Sequence, residues 1–169
     1  MEYPAVADND PLVQRIKDGR GGRLINLYRM QLYNPGMAGG WLDLGSAIRF
    51  QAELDSPAQE LAICLVARLT GSEYEWRAHR RLALAQGLTE QQLDMLLDWR
   101  AKNHFDARQQ ALLAVTEALT SSVDVDDATF DALRDHFTPR QIVELVATVA
   151  YYNMVSRFLV GLKIDLEPA

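Results

Sequence analysis

The sequence predicts an all-α protein. Three observations carry that prediction. Apolar residues recur at helical spacing along the chain, as in Leu24, Leu27, Tyr28 and Leu32, or in Ile142, Leu145, Val146 and Val149. Helix-start chemistry recurs as well. Ser56-Pro57-Ala58-Gln59, Thr89-Glu90-Gln91-Gln92 and Thr138-Pro139-Arg140-Gln141 each place a capping hydroxyl three residues before a glutamine. No segment alternates apolar and polar residues as a half-buried strand would. A chain of this kind folds as a helical bundle.

The elements follow in order. Residues 1–22 read as a loose leader with one short helix, and residues 23–169 as a single helical domain. Asp10 is an N-cap with Pro11 at the first helical position, and Gly19 lies past the helix end. Gly19 to Gly22 is a loop. Arg23 to Tyr33 is helical, and Asn34-Pro35-Gly36 is a turn. Met37 to Phe50 can form a helix, although Gly39, Gly40 and Gly45 oppose it. Ser56 should cap the helix Pro57 to Thr70, which is apolar nearly all round and therefore central. Glu60 is placed in its first turn, where the helix dipole favours a carboxylate. Further helices are expected from Ser72 to Gln86, Thr89 to Trp99, Asp106 to Thr120, Ala128 to Phe137 and Thr138 to Gly161, with a joint at Asn103 to Asp106.

Composition excludes some functions. With 169 residues, 49% of them apolar and 24% charged, the chain suits one ordinary globular domain. A net charge of −6 with scattered basic residues argues against a nucleic-acid partner. No apolar run reads as a bilayer span or signal core, so a cytoplasmic location is the expectation. The single cysteine, Cys64, cannot pair within the chain, and no Cys/His cluster has metal-site spacing.

The stretch Gly71-Ser72-Glu73-Tyr74-Glu75-Trp76-Arg77-Ala78-His79 holds the candidate chemistry. Gly71 suits a left-handed helix end, and Ser72 with Glu75 has capping-box spacing. Glu75 and His79 stand four apart, so on a helix they share a face. A carboxylate beside an imidazole is a proton-transfer pair. Two readings of Glu75 stay open: it caps the helix, or it serves His79.

The run from Glu60 to His79, followed by Ala85-Gln86-Gly87-Leu88-Thr89, resembles the carboxymuconolactone decarboxylase family, which includes the alkylhydroperoxidase D-type proteins. Tyr151 to Phe158, with Asn153-Met154, is similar to that family's last core helix, and Leu27-Tyr28-Arg29 with Asn34-Pro35 resembles its longer members. The resemblance implies an alkylhydroperoxidase D-like helical bundle. In the peroxidase branch, Cys-x-x-Cys-x-x-x-His opens this helix. The two cysteines fall here on Ser72 and Glu75, and the histidine on His79. Without a nucleophilic and a resolving thiol, disulfide chemistry has no basis.

The resemblance then implies a decarboxylase-like, cofactor-independent lyase acting on a small carboxylic or lactone substrate, with no metal. His79 would be the general acid/base, Glu75 would orient it or shuttle a proton, and Glu60 would face the same cavity from the preceding helix. Arg68 or Arg77 could hold a substrate carboxylate. Tyr74 and Trp76 are expected to pack, Asn153 to tie helices together, and His104 and His136 to be structural. The relatives are homo-oligomers, commonly trimers or hexamers, and Met30 to Trp41 is a candidate contact with a neighbour. A related hydrolase or isomerase, an antioxidant protein, and a non-catalytic helical oligomer are the alternatives.

Overall fold

The structure, a computed structural model, describes residues 1–101 and 104–168. Among the described residues the regular elements are all helical: α1 (Pro11–Asp18), α2 (Asn26–Gln31), α3 (Pro35–Phe50), α4 (Ser56–Thr70), α5 (Glu73–Ala85), α6 (Glu90–Asp94), α7 (Ala107–Ser121), α8 (Asp127–Arg134) and α9 (Pro139–Gly161). A short 3-10 turn, Leu96–Asp98, follows α6. The expected joint before α7 falls partly outside the described residues.

Local chemistry accounts for the helix starts. Asp10 accepts from the N–H groups of Leu12 and Val13, and Asn34 from that of Met37. Full capping boxes form at Thr89/Gln92, Asp106/Gln109 and Thr138/Gln141. Two expected caps are corrected. The N-cap of α4 is Asp55, which accepts from Ala58 N–H, so Ser56 becomes the first helical residue. A carboxylate one residue upstream satisfies the same orphan amide and adds charge at the positive helix end. Ser72 does stand at the N-cap of α5, yet its hydroxyl caps nothing, and Glu75 is turned elsewhere. Gly71 adopts the left-handed conformation (φ 67°), which costs glycine no Cβ strain and lets α5 fold back along α4.

Helix α4 is the axis of the bundle. It packs chiefly against α5, α7 and α9. Every residue from Ala58 through Ala67 is buried, as its all-round apolar sequence requires. A second apolar cluster, Val13 and Ile16 against Tyr28, Leu32, Ala38 and Leu42, pins α1 onto α2 and α3. The loop after α1 is thereby fixed beside the main core. Met30 and Trp41 are buried within the chain, leaving Tyr33 and Met37 exposed between them.

Helix α9 corrects one expectation. Its 23 residues are long and apolar enough to cross a membrane, although half of the most apolar window is buried inside the bundle. That buried face carries Thr148, Tyr152 and Asn153, each of which hydrogen-bonds within the chain.

Candidate active site

Helices α3, α4, α5 and α9 each contribute a side chain to one buried polar cluster. On α5, Glu75 and His79 share a face, and His79 Nε2 lies 3.3 Å from Glu75 Oε2. From α4, Glu60 Oε2 approaches His79 Nδ1 to 2.7 Å. Glu60, Glu75 and His79 are 2%, 4% and 6% exposed, so the imidazole is held between two carboxylates away from bulk water. The structure therefore brings the three expected residues together. Because α4 begins at Ser56, Glu60 lies past its first turn, and a helix-dipole role does not explain it.

The fourth member is Arg49 on α3. Its Nη2 donates to Glu60 Oε1 at 2.8 Å, and its Nη1 donates to Tyr152 Oη at 3.0 Å. Arg49 Nη1 also stands 3.3 Å from His79 Nδ1. A guanidinium N–H and a ring N–H cannot bond to each other, whereas Glu60 is an acceptor. The shorter contact thus places the proton on Nδ1, donated to Glu60. Tyr152 meets the His79 ring edge-on with centroids 5.0 Å apart. Its hydroxyl accepts from Arg49 and donates to no group among the described residues.

Charge balance explains the protonation state of His79. Burial alone pushes the imidazole pKa down. The hydrogen bonds and negative charges of Glu60 and Glu75 outweigh burial, and the net direction is upward from 6.5. A protonated His79 and Arg49 match two carboxylates, whereas a neutral His79 would leave the cluster with an uncompensated buried charge.

The cluster forms part of the wall of an open cavity of about 640 Å³. Glu75, His79, Arg49 and Tyr152 line it, and Glu60 does not. The expectation that Glu60 faces the cavity is corrected: it stands behind the ring and fixes Nδ1, while Glu75 is the carboxylate on the cavity side. Five arginines line the space (Arg20, Arg23, Arg49, Arg77 and Arg81) against the carboxylates of Glu75 and Glu167. In a chain of net charge −6 this is a local reversal of sign.

Other expected residues separate. Arg77 lines the cavity and pairs with Glu73, whereas Arg68 stacks over Trp76 and lies outside it. Tyr74, expected only to pack, lines the cavity and donates to Glu167. Cys64 is buried off the cavity, and burial with Glu60 nearby pushes its thiol far above the ordinary range. Asn153 donates to Thr120 Oγ1 at 3.0 Å and ties α9 to α7. His104 and His136 lie outside the cavity lining.

Sequence reasoning missed Arg49 and Tyr152. For Arg49 a signal existed: it shares a helical face with Trp41, Gly45 and Ile48, so a cation interrupts an apolar stripe. Tyr152 offers no such signal, because Tyr151 beside it is equally buried.

The carboxymuconolactone decarboxylase family profile matches residues 35–118, from the start of α3 into α7, and so takes in Arg49, Glu60, Glu75 and His79. The chain belongs to the carboxymuconolactone decarboxylase family. The uncharacterized protein YdfG of Bacillus subtilis (strain 168) is 25% identical over 114 residues, 66% of this chain and 78% of YdfG. An alkylhydroperoxidase AhpD core, an uncharacterized peroxidase-related protein from Ralstonia eutropha JMP134, matches with TM-score 0.79 at 20% identity, over 100% of this chain and 91% of its own. The debrominase Bmp8 matches with TM-score 0.81 at 16% identity, over 98% of this chain and 91% of its own. Bmp8 has also been solved as a cysteine-to-alanine variant in complex with 2,3,4-tribromopyrrole. At these identities the structural likeness is one of fold, and that fold is the AhpD-like bundle.

Proposed function

We propose that the protein is an acid/base lyase of the decarboxylase type, acting on a small carboxylic or lactone acid. The observation that carries the reading is an imidazole held between Glu60 and Glu75 at the wall of an arginine-lined cavity. The arginines attract and orient an anionic substrate. On loss of carbon dioxide, the electron pair of the broken C–C bond moves into the adjacent carbonyl and leaves an enolate. Arg49 and the unspent Tyr152 O–H lie where they can stabilise the enolate oxygen. His79 then gives its Nε2 proton to carbon, and Glu75, on the cavity side, relays a proton back. Glu60 holds the ring throughout. Each of these steps uses side chains of this chain.

The thiol chemistry of an antioxidant protein has less support. Ser72 and Glu75 occupy the motif's cysteine positions, and Cys64 is buried away from the cavity. We also propose a homo-oligomer. Leu44 and Phe50 on α3 and Val143 and Val160 on α9 are exposed, and Phe50 reaches the cavity, where a neighbouring copy would complete its wall. Light scattering should show a species larger than 19.0 kDa.

The test is release of carbon dioxide from a panel of lactone and β-keto acids. His79→Gln should lower turnover by a factor of about 100 or more, as loss of a positioned general acid does. Unchanged turnover in this variant would remove His79 from the mechanism.

A further inference from the structure

The segment after α9 is not helical, yet Leu166, Glu167 and Pro168 form part of the cavity wall. What holds it there is chemically specific. Glu167 Oε1 accepts from the Tyr74 hydroxyl and, at 2.6 Å, from the backbone N–H of Asn26. Tyr74 is more than nine-tenths buried and lies next to Glu75 in α5. The rest of the attachment is lighter. Asn26 Nδ2 donates to the Asp165 and Leu166 carbonyls, and Tyr3 Oη bonds Asp165 at the surface.

A carboxylate side chain is thus seated on two converging donors inside a cavity also lined by five arginines, His79 and Glu75. Arg23 and Arg81 make no ion pair among the described residues, so Glu167 does not neutralise the cation excess. The cavity therefore stays charged for an anion with Glu167 in place.

We infer that the Tyr74 hydroxyl and the Asn26 amide are the carboxylate subsite of this cavity, and that Glu167 fills it until an organic acid displaces it. The inference rests on the proposed acid substrate and names where its carboxylate sits. It favours a carboxylate on the ligand, because both donors meet one oxygen and a charged oxygen accepts more strongly than a neutral amide oxygen. It also requires the tail segment to leave the cavity wall when ligand enters.

Benzoate and benzamide, matched in shape and different in charge, are the probes, read by calorimetric titration of the full chain. Glu167→Ala should tighten benzoate about tenfold, the equivalent of one charge-assisted contact no longer contested, and leave benzamide unchanged. Adding Tyr74→Phe should abolish the gain. In the unmutated protein, saturating benzoate should shift the amide resonances of Leu166 and Glu167 toward those of an unstructured chain. Equal gains for both probes, no gain for either, a gain that survives loss of the Tyr74 hydroxyl, or a tail unmoved by benzoate would each overturn the inference. Binding is read without turnover, so its failure leaves the His79 chemistry standing, and an inert His79 leaves this subsite standing.

Discussion

Replacing Gly45 with alanine sets two effects of opposite sign against each other. In the interior of a helix such as α3, alanine is favoured over glycine by about 1 kcal/mol. At Gly45, however, an added Cβ would stand well inside van der Waals contact of Tyr151 Oη and 3.0 Å from Tyr151 Cζ. Tyr151 borders the open cavity but is held by its neighbours. It is buried, edge-on to Trp41 and to Tyr152, with ring centroids 6.0 and 5.4 Å away, and its hydroxyl donates to Trp41 O at 3.3 Å. Overpacking costs about 1–3 kcal/mol and the lost hydrogen bond about 1 kcal/mol. Subtracting the propensity gain leaves a destabilisation of roughly 1–3 kcal/mol. For a chain of this size that is a fall in Tm of roughly 2–12 °C. Gly40, on the same helix, is exposed and has nothing within 4 Å of a built Cβ. Gly40→Ala should therefore stabilise by about 0.5–1 kcal/mol. Urea unfolding of both variants decides the matter. A Gly45→Ala protein as stable as the parent, or stabilised like Gly40→Ala, would refute the packing of Tyr151 described here and with it the support of Tyr152 beside His79. Tyr151→Phe in the Gly45→Ala background should recover part of the loss, because the hydroxyl is the nearest obstacle.

Other expectations follow from the buried cluster. Glu60→Gln keeps the shape but leaves Arg49 and a charged His79 without their carboxylate. It should cost about 3 kcal/mol in urea unfolding near neutral pH, whereas a loss below about 1 kcal/mol would show the pair to be dispensable. The pH dependence of stability has a definite sign. The folded pKa of His79 lies above the unfolded value of 6.5, so its contribution is fully present below that pH and is lost as pH rises through the folded pKa. The stability gap between the parent and His79→Gln should accordingly narrow on the alkaline side, and a gap that widens there would reverse the account. Cys64 should resist a disulfide reagent in the native protein and react once the chain is unfolded by urea; rapid native modification would contradict its burial.

The order of the helices was legible in the sequence because most starts carry their own chemistry. Capping boxes at Thr89, Asp106 and Thr138 are local devices, and local devices survive folding. Where a competing partner exists, the local reading fails. Glu75 has box spacing with Ser72, yet it serves His79, because a buried imidazole charge needs a carboxylate more than one amide does. Glu60, Glu75 and His79 were legible as a candidate set from their spacing and the family likeness, and the structure brings them together. Their division of labour was not, since only the packing of α5 on α4 puts Glu60 behind the ring and Glu75 in front of it. Arg49 was visible in principle as a charge in an apolar stripe. The Tyr74–Glu167 bond joins residues 93 apart through a segment with no periodic pattern, and nothing local announces it.

The most direct measurement is the titration of the His79 ring by NMR, with its signal identified by its loss in His79→Gln. The apparent pKa should lie above 6.5, and it should fall when Glu60 is replaced by glutamine. A ring that titrates below 6.5 and ignores Glu60 would contradict a protonated imidazole held between two carboxylates, and with it the proton donor on which the proposed chemistry depends.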